Sequence, residues 1–321
     1  DQKILNEKFP VQAIIINSGN ANACTGEIGM EHARKMAQVT SECMGLKERE
    51  VLVSSTGIIG VPLPIKKIEE AIRKNYTKLG RTKKDGDLAA EAIMTTDTFS
   101  KMIAVELELD KRKVTIGGIA KGSGMIHPNM GTMLAYITTD ANISREMLDR
   151  ALKSSVTDSY NMISVDGDTS TNDSVIVMAN GLAGNAEIIE ENGDYKKFID
   201  ALHFVNMNLA KQIIKDGEGA GKFIAVTVDG AKTKQDARLL AKSVVSSNLV
   251  KAAFFGEDAN WGRIICAMGY TGIEFDINKA SIGIVSDKLK IDLLKDGNPL
   301  DFKEKQARRI LMAKEIDVNI S

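Results

Sequence analysis

The residues whose types and order could do chemistry lie in one segment, Lys121-Gly-Ser-Gly-Met-Ile-His-Pro-Asn-Met-Gly131-Thr132. Five glycines between Gly117 and Gly131 permit tight, positive-φ backbone that other residues resist. Pro128 fixes one φ and biases His127 toward an extended conformation. A strand pattern then starts at Thr132 and runs to Thr139. A contorted loop that delivers a hydroxyl to the start of a strand suits a self-processing nucleophile. Strain at the Gly131–Thr132 bond favours attack by the Thr132 hydroxyl on the Gly131 carbonyl, which has no side chain in the way. Acyl shift and hydrolysis would free the Thr132 α-amine. Its ordinary pKa of about 8 lets it serve as base for its own hydroxyl. Taken by itself, a glycine-rich loop before a strand also reads as a plain turn. It is not a phosphate-binding loop, because a strand follows where a helix N-terminus would be required.

Other chemistries find little support. The three histidines, His32, His127 and His203, are scattered, as are Cys24, Cys43 and Cys266. Neither set offers metal-ligand spacing or a disulfide framework, and the thiols suit a reducing compartment. Asp166, Asp168 and Asp173 crowd one stretch but lack the glycine and terminal glutamate of a calcium loop. They read as a structural turn near the site, and Trp261 as a packing anchor. Lys and Arg number 42 against 43 Asp and Glu, so no electrostatic argument favours nucleic acid or an anionic membrane. No apolar run approaches the roughly 18 residues of a spanning helix.

The elements that must position this segment alternate irregularly along the 321 residues. Strand patterns fall at 11–16, 51–53, 102–109, 114–119 and 132–139, with two or three short ones within 273–291 and another at 315–321. Helical spacing marks 29–45, 65–79, 88–94, 144–157, 198–215 and 301–313. Thr233 with Asp236 reads as a capping pair for a further helix. Strands occur in pairs as often as they alternate with helices. That predicts an α+β fold, a layered sandwich of mixed and antiparallel sheets with helices. No linker marks a domain boundary. The one division is chemical, between residues 1–131 and 132–321.

The Lys121–Leu134 segment resembles the self-cleavage signature of the ornithine acetyltransferase family, the bifunctional glutamate N-acetyltransferases of arginine biosynthesis. Further blocks match in the same order: Asn17–Gly26, Ser55–Gly60, Ala92–Thr98, Val165–Asp173, Asp216–Ala220 and Gly256–Arg263. The resemblance spans essentially the whole chain. It implies an N-terminal-nucleophile-like sandwich and ping-pong acetyl transfer from N2-acetylornithine to glutamate. Thr132 would carry the acetyl group, and Thr56 and Gly57 would form an oxyanion hole. Substrate would be bound by Thr95, Lys121, Thr132 and Glu218. The charges agree with this, since Lys121 suits the substrate carboxylate and Glu218 the ornithine ammonium. The resemblance further implies no cofactor or metal, with acetyl-CoA open as a second acetyl donor. It also implies cytoplasmic location and a heterotetramer of two α (1–131) and two β (132–321) fragments.

Two departures stand out. Gly131 occupies a position that is commonly Ala in the family. Both ends also read as trimmed: the chain opens at Asp1 with no signal peptide, and a strand pattern is cut short at Ser321. The family resemblance implies an earlier segment and a C-terminal tail whose Asn and Thr or Ser complete the pocket. The competing readings are a self-processing amidase that passes the acyl group to water, and a non-catalytic relative that keeps the fold.

Overall fold

The computed structural model describes residues 1–7, 9–127, 133–287 and 289–321. The expected α+β architecture is present, as two compact units. The first comprises Asp1–Asn161 with Asp168–Asp216, and the second Met162–Gly167 with Gly217–Ser321. Neither boundary falls at Gly131–Thr132, and these two residues lie outside the described ones. The first unit contains the chain on both sides of that bond.

In order, the first unit holds α1 (Gln2–Asn6), β1 (Ala13–Asn20), α2 (Gly26–Met44), β2 (Val51–Ile58), α3 (Ile65–Asn75), α4 (Lys83–Ala92), β3 (Lys101–Leu109), β4 (Arg112–Lys121), β5 (Leu134–Thr139), α5 (Arg145–Thr157), β6 (Ser174–Ala179) and α6 (Gly193–Lys215). Strands β3, β4, β5 and β6 form one sheet in that order, antiparallel except for the parallel β5–β6 pair. Strands β1 and β2 form a separate parallel pair. Local chemistry sets the helix starts. Ser144 accepts from the Met147 N–H, and Asn192 accepts from the Tyr195 N–H at 2.9 Å. Gly45 closes α2 in the left-handed region.

Alternation along β4 gives its sheet two different faces. Val114, Ile116, Gly118 and Ala120 are fully buried on the α6 side. A side chain at Gly118 would meet Leu209 at 2.9 Å and Val205 at 3.1 Å, so glycine is what lets α6 lie this close. Ile119 points the other way, into a cluster with Ile93, Leu134 and Tyr136 that also takes Ile14 and Ile16 of β1. Lys121, two residues on, shares that second face. The sheet is thus layered between helices and the β1–β2 pair.

The second unit holds β7 (Phe223–Val228), α7 (Lys234–Ser246), α8 (Asn248–Phe255), α9 (Trp261–Gly269), β8 (Ile282–Ser286), β9 (Leu289–Lys295), β10 (Asn298–Pro299), α10 (Glu304–Leu311) and β11 (Glu315–Ile320). Its sheet runs β10-β9-β8-β11-β7. The closing strand pattern at 315–321 becomes β11, an inner strand parallel to β7 and antiparallel to β8. Leu240, Phe254, Ile264, Leu293, Ile310 and Val318 form the core, and Trp261 packs against it as expected. The anticipated cap on α7 is made by Thr233, which accepts from the Asp236 N–H at 3.0 Å. Lys222 donates to the Phe254 and Leu311 carbonyls at 2.7 and 2.6 Å, placing one cation at the C-terminal ends of two helices.

Several sequence expectations are corrected. Residues 17–20 and 54–57 lie past the strand patterns at 11–16 and 51–53 but belong to β1 and β2. The parallel ladder continues from Ala13↔Val51 to Asn20↔Ile58, so backbone pairing overrides the turn-forming side chains. Helix α3 stops at Asn75 rather than continuing to Leu79, α4 starts earlier than read, at Lys83, and no strand is assigned within 273–281. Replacing Gly118 by Val forces extra volume between β4 and α6. The expected loss is about 1–3 kcal/mol of stability, read from the urea midpoint.

Candidate active site

Lys121 is the last residue of β4 and only 4 % exposed. Its ammonium donates to Thr56 Oγ1 at 3.1 Å and to Thr95 Oγ1 at 2.8 Å, and it stands 4.0 Å from Asp97 Oδ2. The structure thereby brings together three of the residues singled out in the sequence. Thr56 is buried at 2 % exposure, whereas Thr95 is exposed, so the ammonium sits just beneath an accessible surface.

Gly57 sits in strand β2, which runs on past the strand pattern at 51–53. Its φ is +129°, and a Cβ there would come within 2.2 Å of the Gly19 backbone. Only glycine permits this close approach of β1 to β2. The exposed backbone beyond buried Thr56 is fixed by that approach.

Beneath Lys121 lies a buried ion cluster that sequence reading missed. Lys101, with no exposed surface, donates to Asp97 Oδ1 at 2.7 Å and to Asp216 Oδ2 at 2.6 Å. Asp97 also accepts from the Gly122 N–H at 2.7 Å and the Thr95 N–H at 3.1 Å. Asp216 accepts from the Thr98 N–H and hydroxyl, and its carbonyl accepts from the Ser123 hydroxyl at 2.6 Å. Burial pushes the Asp97 carboxyl up, but the hydrogen bonds from Lys101, Gly122 and Thr95 prevail and hold it below the usual range. Asp97 and Asp216 fall inside blocks already singled out in sequence. Lys101 had no signal beyond its place at the start of a strand.

The Val165–Asp173 block, read as a structural turn, supplies two site residues. Asn172 donates to the Ala21 carbonyl and, at 2.9 Å, to the Ser55 carbonyl. Asp173 Oδ1 accepts a short bond from the Met133 N–H, while the Ser174 N–H donates to the Met133 carbonyl at 3.0 Å. Met133, which follows Thr132 in the chain, is pinned on both sides. Asp173 lines a cavity of about 460 Å³ with Asn22, Ser54, Ser55 and Asn172. Burial raises the Asp173 carboxyl to about 7, against lowering by the Met133 N–H and by Lys121.

Thr132 and Gly131, the expected nucleophile and cleavage partner, lie outside the described residues. Glu218 is exposed in a turn of the second unit, two residues along the chain from Asp216. Among the described residues, no group of His, Cys, Asp and Glu is arranged to hold a metal ion.

The family model described as the ArgJ family matches residues 1–321. The arginine biosynthesis bifunctional protein ArgJ 1 of Clostridium acetobutylicum is 54% identical over 98% of this chain and 77% of its own length. The ArgJ protein of Caldanaerobacter subterraneus is 52% identical over 97% of this chain and 76% of its own. The crystal structure of the arginine biosynthesis bifunctional protein from Bacillus halodurans superposes with a TM-score of 0.55 at 46% identity, covering 58% of this chain and 85% of that one. The layered α+β fold is that of an enzyme of arginine biosynthesis. The chain belongs to the ArgJ family, in agreement with the ornithine acetyltransferase resemblance of its motifs.

Two outcomes are expected of the buried charges. Lys101→Met leaves Asp97 and Asp216 buried without their shared cation and should cost about 3–5 kcal/mol in urea unfolding; adding Asp97→Asn and Asp216→Asn should recover much of it. Asp173 carries the opposite sign. Its folded pKa, about 7, exceeds the ordinary 3.8, so its ionisation destabilises the fold progressively as pH rises from about 4 to 7. Asp173→Asn should therefore raise the unfolding free energy by about 1–3 kcal/mol at pH 8 and by nothing measurable at pH 4.

Proposed function

We propose that the protein moves an acetyl group from N2-acetylornithine to glutamate through an ester on Thr132, after cutting its own backbone at Gly131–Thr132. The observation that carries this reading is the ammonium of Lys121 held between the Thr56 and Thr95 hydroxyls at the end of β4. Strand β5 starts at its register partner Leu134, so the loop that contains the proposed cleavage bond leaves and returns at adjacent positions. A cut there would separate two strands that remain hydrogen-bonded neighbours. The fragments 1–131 and 132–321 would stay assembled.

In the proposed reaction the freed α-amine of Thr132 takes the proton of its own hydroxyl. The hydroxyl oxygen attacks the acetyl carbonyl, and the developing charge falls to Thr56 and Gly57. Thr56 is suited to this. Its oxygen already accepts from Lys121, so its O–H is left to donate and is polarised by the ammonium behind it. Donors placed in advance at such an oxygen contribute about 2.7–4 kcal/mol each. Thr95 and Lys121 would hold the substrate carboxylate, and Glu218 the side-chain ammonium of ornithine. Ornithine leaves, and glutamate attacks the acetyl ester.

The reaction so written needs neither cofactor nor metal, and acetyl-CoA would serve the same Thr132 as a second donor. Among the described residues, no helix is long and apolar enough to cross a membrane. We place the enzyme in the cytoplasm, as two α and two β fragments.

Intact mass of the denatured protein tests the reading. The 34.8 kDa chain should appear as fragments of about 14 and 21 kDa, apportioned by residue count, with the larger gaining one acetyl group on exposure to N-acetylornithine. Thr132→Ala should give one uncut, inactive chain. Clean cleavage in that variant would overturn the mechanism, and release of acetate in place of N-acetylglutamate would make the enzyme an amidase.

A further inference from the structure

We infer that Asp173 is a catalytic residue that binds the reacting α-amino nitrogen, accepting the N–H of the donor amide and then a proton from the amine of the acceptor. The inference rests on the transfer reading above and assigns a group which that reading leaves out.

Three observations carry it. Asp173 is tied by Oδ1 to the N–H of Met133, the residue that follows the proposed nucleophile. Its Oδ2 is buried and meets no hydrogen-bond partner among the described residues. A buried carboxylate oxygen without a donor is costly, and its presence points to a donor that arrives with the ligand. The cavity beside it is lined by Asn22, Ser55, Thr171 and Asn172, with no basic residue among the described residues of its lining. Such a cavity repels a second carboxylate and favours an N–H group. The substrate carboxylate belongs instead at Lys121.

The chemistry requires a group of this kind. Glutamate arrives as an ammonium, which has no lone pair to attack with. One proton passes from the ammonium to the Asp173 carboxylate. The amine nitrogen then bonds to the acetyl carbon, and the carbon–Oγ bond of the Thr132 ester breaks with its electron pair going to Oγ. The surplus proton on nitrogen passes to Oγ, which restores the hydroxyl. Asp173 returns its proton to solvent as N-acetylglutamate leaves. A carboxyl that burial has lifted to about 7 can take and release a proton near neutral pH, where an ordinary one would stay ionised.

The test separates the amine steps from the ester steps. Asp173→Asn keeps the shape and an acceptor for the Met133 N–H but removes the charge. Mature variant and wild type are loaded with p-nitrophenyl acetate, whose leaving group needs no proton, and separately with N-acetylornithine. Discharge by glutamate is then followed by the mass of the larger fragment. Loading from the ester should be unchanged, while loading from N-acetylornithine and discharge to glutamate should each fall about 100-fold or more. An equal fall in all three would show a merely structural role, and no fall in the amine steps would overturn the assignment. If the variant does not fold or mature, wild type is tested with N-acetyl-N-methylornithine, which lacks the amide N–H. It should load at least about 100-fold more slowly than the parent donor, and loading at the parent rate would overturn the assignment. Wild type that loads from the ester but never from N-acetylornithine refutes the transfer reading itself.

Discussion

Placing four charges out of reach of water is the constraint on which the site depends. Asp97 and Asp216 share the ammonium of Lys101, and Lys121 stands at 4.0 Å from Asp97, so two carboxylates face two ammoniums. An isolated ion in a dry interior costs several kcal/mol, and a balanced cluster escapes that cost only if its hydrogen bonds are complete. Here the spare lone pairs are taken by backbone N–H groups of Thr95, Thr98 and Gly122. Electrostatic satisfaction therefore fixes backbone. The segment with Thr95, the chain just past Lys121 and the end of α6 cannot move separately without leaving a buried charge unmet.

The second constraint is steric. The backbone of β1 at Gly19 comes so close to Gly57 of β2 that no side chain fits at Gly57. Thr56 is thereby set at a fixed height against Lys121, and the ammonium reaches its hydroxyl. Charge balance holds the lysine end of this contact and glycine packing holds the threonine end. Neither would position the pair alone, because Lys121 is flexible without its partners and Thr56 is only one residue of a strand.

The sequence was most legible where periodicity was long. The patterns at 102–109, 144–157 and 315–321 appear as β3, α5 and β11 with ends shifted by a residue or so. It misled where side-chain preference and backbone pairing disagree: Asn17 to Asn20 and Ser54 to Gly57 look like loops because their residues favour turns, yet the parallel ladder between them runs on. Among site residues, Lys121 and Thr56 were recognisable through motif resemblance, and the structure adds their contact. Lys101 was invisible, since a lysine at a strand start reads as a solvated charge until two carboxylates from 97 and 216 are seen around it. Asp173 was noticed as part of a structural turn near the site, and the structure adds what that turn touches. Acidic crowding suggests a turn, and only tertiary contact shows one carboxylate reaching Met133.

Asp97 and Asp173 show how one residue type is divided between support and chemistry. Asp97 receives donors from Lys101, Gly122 and Thr95, and these hold it ionised despite burial. Asp173 receives the Met133 N–H on one oxygen, and its buried second oxygen has no partner among the described residues, so burial prevails and its carboxyl rises to about 7. Environments that push two carboxyls apart in this way assign them different work. The first is an anchor, stable across the neutral range. The second weakens the fold as it ionises, a disadvantage that packing alone does not explain. Sites that handle protons near pH 7 often carry such a cost, because the same desolvation that destabilises the group is what brings its pKa within reach of the substrate.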